Sequence, residues 1–260
     1  MVQDQNAQLM KAERQTRIRE LVERQGRVVV PELSLLFGVS EATVRRDLEE
    51  MDGLWVRRTH GGAVHLERAA KEPPMMQRVN EQAEEKRRIG QAVAGMIQEG
   101  ETIFFSSGTT VLEVARALPQ DIHITVITNS LAVINELVSR PHIEIIVLGG
   151  MFRQTELSMV GHITEQALRE FRAHRVIFGV RAIDPKQGLT NDYLPETLTD
   201  RIILTIAPQV IVVADHTKFG RVSSVLVAPT STASLIVTDT QTPDDMVAEL
   251  RELGIKVLQV

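Results

Sequence analysis

Apolar residues recur along this chain in two rhythms. Up to about residue 52 they fall three and four apart, and from about residue 102 they come in short unbroken runs separated by amphipathic stretches. The first rhythm predicts helices, because a period near 3.6 gathers such positions on one face. Ile18, Leu21 and Val22 place one helix over roughly Ala12 to Arg24. Leu33, Leu36 and Phe37 place a second behind Pro31, whose locked φ suits a first helical turn. Val44, Leu48 and Met51 place a third, of about three turns, with Val39 and Leu54 closing the ends of its apolar face. Ser40 stands where a side-chain oxygen can cap free amides, and Gly53 where a positive φ costs little. Gly38 turns the chain between the second and third helices, and two short helices so joined fit a helix-turn-helix. After them, Trp55-Val56 and Ala63 to Leu66 read as strands about a Gly61-Gly62 turn, a two-stranded wing.

The polar positions of this front part say what it could touch. Ala42, Thr43 and Arg46 point off the apolar face of the third helix, while Asp47, Glu49, Glu50 and Asp52 crowd its C-terminal half. A polyanion would therefore approach the other half, where Ser40, Thr43, Arg45, Arg46 and free amides meet it. A recognition helix enters a major groove in this end-on way. Arg57, Arg58 and His60, beside the turn of the wing, could meet phosphate oxygens or reach a minor groove. An Arg pair by itself is an ordinary solvated face, and a Gly-Gly hairpin ordinary architecture. Their order along one short stretch makes double-stranded DNA the expected partner. Charge limits that expectation: the chain carries a formal net charge of -5, and residues 1–68 hold 11 Lys and Arg against 11 Asp and Glu. Binding must then rest on local placement of charge, with the acids expected away from the Arg-bearing surfaces, and its non-specific part should be modest and salt-dependent.

The second rhythm predicts a different architecture. Pro73-Pro74 interrupts any period between Leu66 and Asn80, so residues 68–81 read as a linker. A helix from Gln82 to Met96 leads into strands ETIFFS, IHITVIT and IEIIVLGG, separated by helices VLEVARAL and LAVINELV. Further strands are expected at Arg175 to Gly179, Val210 to Ala214, Leu226 to Ala228, Ser234 to Thr238 and Lys256 to Val260. Helices are expected at about His162 to Phe171, Pro195 to Ile206 and Pro243 to Leu253. Strands alternating with helices of this length form a mostly parallel sheet with helices on its faces. The fold class is thus α/β: a winged helix-turn-helix domain over residues 1–67, and a larger α/β domain over 82–260 for effector binding and oligomerisation.

Functional groups of such sheets gather beyond the carboxyl ends of strands. Those ends read Ser106-Ser107-Gly108-Thr109-Thr110, Thr128-Asn129-Ser130, Gly149-Gly150 and Asp215-His216-Thr217-Lys218. Small hydroxyls, Gly and a helix N-terminus make a cradle for a phosphate-sized anion, with Lys218 as compensating charge. Arg153, Arg181, Asp192 and Glu196 lie on following loops or near the pocket. Glu196 behind Pro195 reads equally as a first-turn helix carboxylate, and Asp215 as a cap. No dinucleotide fingerprint follows the first strand, and no His or carboxylate pair has metal-site spacing, so neither a cofactor nor a metal is expected. With no cysteine, thiolate zinc sites and disulfides are excluded. No secretion signal or long apolar run is evident, so a cytoplasmic protein with no membrane partner is expected.

At this point the sequence resembles the DeoR family of bacterial transcriptional regulators over almost its whole length. The resemblance rests on Val39-Ser40, Thr43 to Leu48 and Arg57 to Ala63 in front. Behind, it rests on Gly108-Thr109-Thr110, Thr128-Asn129-Ser130, Leu148-Gly149-Gly150, Gly161, Gly188-Leu189-Thr190, Asp215 and Lys218-Phe219-Gly220. It implies operator DNA for Thr43, Arg45, Arg46, Arg57, Arg58 and His60. It also implies a sensor domain similar to ribose-5-phosphate isomerase that binds a phosphorylated sugar among Gly108 to Thr110, Asn129, Gly149, Gly150 and Lys218. Family members often carry Asp where this chain has Ser106, and Asp-Gly where it has Arg181-Ala182. The exchange of a carboxylate for a hydroxyl and the added cation point to an effector more anionic than a simple sugar phosphate, or differently shaped. A homodimer or homotetramer is expected, since one three-helix reader covers only a half-site. Two other readings stay open: an isomerase or transferase acting on a small phosphorylated substrate, and a DNA-binding protein whose second domain only oligomerises.

Overall fold

The structure is a computed structural model that describes residues 10–25, 27–53, 56–59, 61–65, 67–68 and 73–260. The chain splits into two compact units, Met1–Arg68 and Ala69–Val260. The smaller holds α1 (Lys11–Gln25), β1 (Arg27–Val29), α2 (Val30–Phe37), α3 (Glu41–Met51), β2 (Val56–Thr59), β3 (Gly62–His65) and the two-residue β4 (Glu67–Arg68). Ile18, Val22, Leu33, Val44 and Leu48 are at most 2% exposed and build its core with Val28, Phe37, Val56 and Ala63.

Three sequence expectations change here. Leu36 is 63% exposed, because the buried stripe of α2 runs through Val30, Leu33 and Phe37 and leaves Leu36 off that face. The wing has three strands in the order β1-β3-β2, not two. Gly62 is not a turn residue: it pairs with Thr59 and Val29, and a Cβ on it would collide with the carbonyl of Val28. Gly61, just before it, is in the turn. Leu54, Trp55, His60 and Leu66 lie outside the described residues.

The larger unit continues with α4 (Met75–Arg78), α5 (Ala83–Ala94), β5 (Thr102–Phe105), α6 (Thr109–Ala117), β6 (Ile124–Thr128), α7 (Leu131–Leu137), β7 (Ile143–Val147), β8 (Met151–Arg153), β9 (Ser158–Val160) and α8 (His162–Arg169). After these come β10 (Arg175–Gly179), β11 (Ala182–Asp184), β12 (Gly188–Asn191), α9 (Leu194–Ile203), β13 (Gln209–Val213), a 3-10 turn at His216–Lys218, β14 (Arg221–Val222), β15 (Val225–Ala228), a 3-10 turn at Thr230–Thr232, β16 (Leu235–Thr238), α10 (Asp244–Glu252) and β17 (Lys256–Gln259). Seven strands form one sheet in the order β17-β16-β13-β10-β5-β6-β7, every neighbouring pair parallel. Runs such as Thr102–Phe105 and Gln209–Val213 are apolar at nearly every position because helices cover both faces of a parallel sheet. Phe104, Phe105, Phe178 and Ile127 are buried at its centre.

Chain order reverses in the middle of that sheet. From β5 the chain runs outward through β6 and β7, then returns to β10 on the other side of β5 and runs outward again. Adjacent loops after β5 and β10 thus diverge and open a crevice between them. Two hairpins not expected from the sequence, β8-β9 and β11-β12, lie off the main sheet. Leu226 to Ala228, expected among the strands of the parallel sheet, lies in β15 and instead pairs antiparallel with β12. The segment 68–81 is not linker throughout: it contains α4, with Met75 1% and Arg78 6% exposed.

Candidate functional site

In the smaller unit the N-terminus of α3 is built as its sequence suggests. The Ser40 hydroxyl accepts from the Thr43 amide at 3.2 Å and shares a hydrogen with the Thr43 hydroxyl at 2.9 Å, so both side chains close the first turn. Arg45 and Arg46 are exposed, while Val44 and Leu48 seat the opposite face. Asp47 does not join the surface acids. It is 2% exposed and pairs with the buried Arg14 of α1 through Nε at 2.5 Å and a second nitrogen at 3.1 Å, a bidentate clasp that joins α1 to α3.

The acids are nearer the arginines than their sequence positions suggest. Glu41 lies one turn before Arg45 and pairs with it at 2.9 Å, and Glu49 pairs with Arg58 at 3.1 Å. The expectation that acids keep clear of the Arg-bearing surface therefore fails at these two places, since i,i+4 geometry and the return of β2 past α3 bring them together. All four side chains are at least 38% exposed, so a phosphate could exchange for either carboxylate at little cost. The Arg57 backbone is in β2; its side chain and all of His60 are outside what the structure describes.

In the larger unit the crevice between the β5 and β10 loops is a cleft with about 580 Å³ of empty space, counting its mouth. Ser106, Ser107, Gly108, Thr109 and Thr110 line one wall, and Arg153, Arg181, Glu196 and Lys218 line it elsewhere. Gly108, at φ 125, opens α6 without a side-chain cap, which leaves first-turn amides to meet an anion. Ser106 is already used: its hydroxyl accepts from the Gly179 amide at 3.0 Å and ties the ends of β5 and β10.

Five expected site residues do not line the cleft. Ser130 is fully buried and caps α7 through the Val133 amide at 3.4 Å. Asn129 donates to the Met159 carbonyl at 2.9 Å, which holds β9 against the end of β6. The Gly149 carbonyl accepts from Thr164 at 2.8 Å, and a Cβ on Gly150 would collide with the Thr164 hydroxyl, so Gly150 serves close packing on α8. Asp192 stands behind the lining and pairs with Arg181 at 3.4 Å. For the first four the common reason is topology: β6 and β7 end on the far side of β5 from the crevice.

Residues that the sequence did not single out complete the lining, among them Arg78, Glu156, Asn191 and Asp200. Glu196 and Asp200 are four apart on α9, a spacing that places both carboxylates on one face and is legible in the sequence. Asn191 bridges them, donating at 3.0 Å and 3.2 Å. Burial, with the Glu196 carboxylate beside it, holds Asp200 well above the usual carboxylate range. Glu196 pairs with Arg153, whose guanidinium also lies 4.4 Å over the Tyr193 ring. Asp215 caps the 3-10 turn that presents Lys218, its Oδ1 accepting from the Thr217 amide at 3.0 Å. The cleft combines four cations, open helix amides and buried carboxyl groups, the set needed to hold an anion at one end of a hydroxylated molecule.

Residues 14–69 match the DeoR-like helix-turn-helix domain, and residues 81–240 the DeoR C terminal sensor domain. The chain is similar to the transcriptional repressor AccR of Agrobacterium fabrum, 36% identical over 88% of this chain and 90% of that one. It is similar to the glycerol-3-phosphate regulon repressor of Escherichia coli K12, 34% identical over 96% of this chain and 99% of that one. A ribose 5-phosphate isomerase A structure from Methanocaldococcus jannaschii matches 54% of this chain and 55% of that one, at 13% identity and a TM-score of 0.40.

Proposed function

The chain belongs to the DeoR family of transcriptional regulators, and from that premise we propose that it is a repressor whose grip on operator DNA is set by a phosphorylated or otherwise anionic sugar. The observation that carries the reading is the cleft at the switch point of the sheet, where the open N-terminus of α6 and Lys218 share one space with Arg153 and Arg181. That a relative is named for a glycerol-3-phosphate regulon supports a small phosphorylated polyol or sugar as the ligand class. The exposed arginines and capped first turn of α3 support its role as the groove-reading helix, with Arg57, Arg58 and His60 on the wing touching backbone. Two-fold assembly, as a dimer or tetramer, supplies the two half-sites such a reader requires.

Control follows from differential binding. A ligand that fits the cleft better in the arrangement that does not hold DNA lowers the affinity for the operator, at saturation by at most the ratio of its own two affinities. A band shift on DNA flanking the protein's own gene, repeated with a panel of sugar phosphates and phosphorylated aldonates, tests this. A retarded band that weakens with rising salt and is released by one of the compounds is expected. Failure to retard any duplex at low salt would refute the regulator, and conversion of a panel compound to product would favour the isomerase reading instead.

A further inference from the structure

We propose that Arg78 is itself a contact for the anionic ligand, and that its pairing with Glu156 carries occupancy of the cleft to the segment by which the chain leaves the helix-turn-helix unit; this rests on the ligand reading above. Residue 78 falls between the two matched ranges, 14–69 and 81–240. Its side chain nevertheless lines the cleft and is 6% exposed. The guanidinium donates to the Pro73 carbonyl at 2.7 Å and to Glu156 Oε2 at 2.5 Å. Around it the backbone is fastened as well: the Met75 amide donates to the Thr155 carbonyl at 2.7 Å, and Lys86 Nζ to the Arg78 carbonyl at 2.9 Å.

Glu156 also lines the cleft, so the pair that fastens α4 stands where the ligand's charge would arrive. An anion there attracts Arg78 and repels Glu156, and both effects weaken the same bond. Next to Glu156, Leu157 is held at a φ of 50°, a strained backbone region that the packing around it must maintain. Releasing Glu156 loosens the Met75–Thr155 bond next to it. The segment from Pro73 to Arg78 then gains freedom, and with it the chain that leads back to the DNA-reading helices. The ligand is thereby sensed by a residue of the connector rather than by the sheet alone.

Hydrogen exchange on the full chain, with inorganic phosphate against chloride at equal ionic strength, tests the proposal. Phosphate is expected to protect amides 108–112 and to raise exchange at 75–78 about tenfold, the signature of local opening. Protection at 108–112 with 75–78 unmoved would overturn the relay and leave the ligand reading standing; no protection at 108–112 at any phosphate concentration would overturn both. Glu156→Gln should exchange fast at 75–78 without phosphate and respond no further to it. Arg78→Lys, which keeps the charge and loses the planar fork, should weaken phosphate protection about tenfold. Unchanged protection in that variant would remove Arg78 from the residues that touch the ligand.

Discussion

Replacing Asp47 with Ala should unfold the helix-turn-helix unit while the sheet unit stays folded. The substitution takes the bidentate carboxylate away from Arg14, which is 7% exposed. Breaking one side of a buried pair costs roughly 3–5 kcal/mol, because the remaining charge stays desolvated. A unit of this size, Met1–Arg68, has at about 0.05–0.15 kcal/mol per residue only some 3–10 kcal/mol to lose. The single tryptophan, Trp55, belongs to that unit, so its fluorescence in a urea titration reports the loss, and far-UV circular dichroism reports the sheet unit. Asp47→Ala should shift the fluorescence transition by several molar urea or abolish it, given a slope of about 1 kcal/mol per molar for so small a unit. The double variant Arg14→Met, Asp47→Leu removes both charges and should recover stability to within about 1 kcal/mol of the parent, and operator binding with it, since neither side chain faces solvent. A single-variant loss under about 1 kcal/mol would refute the reasoning, for the pair would then behave as a surface contact.

Arg45→Ala with Arg46→Ala should weaken operator binding at least tenfold and lower the slope of log affinity against log salt by about 0.9 for each phosphate no longer neutralised; an unchanged slope measured by fluorescence anisotropy would take both residues off the DNA. Lys218→Ala should raise about tenfold the ligand concentration that releases DNA, as expected for one charge-assisted bond, and an unaltered release curve would exclude Lys218 from the site. Asp200, whose proton is held by burial and by Glu196, favours the folded state at low pH and disfavours it as pH rises above the unfolded carboxylate value. Asp200→Asn, which keeps an oxygen to accept from Asn191, should therefore raise the melting temperature at pH 8 and approach the parent near pH 4 in thermal scans; an equal shift at both would contradict the buried-proton reading.

Helix limits and strand runs were the local features most legible along the chain. Ser40, Gly38 and Gly53 set the limits of the third helix because caps and positive-φ positions are settled within a few residues. The unbroken apolar runs announced a parallel sheet because both faces of each strand must be dry. The SSGTT stretch announced a helix start with free amides, because these are a property of one turn.

Which strand ends face one another was settled by the folded arrangement alone. Four polar strand ends look alike along the chain, yet β5 and β10 flank the reversal of strand order while β6 and β7 run away from it. Ser106 to Thr110 accordingly line the cleft, whereas Asn129, Ser130, Gly149 and Gly150 do not. The same holds for charge: Arg14 meets Asp47 across 33 positions, and Arg78 meets Glu156 across 78. Such pairings answer to no period in the sequence, because a side chain's partner is chosen by where the backbone returns, and that choice belongs to the whole fold.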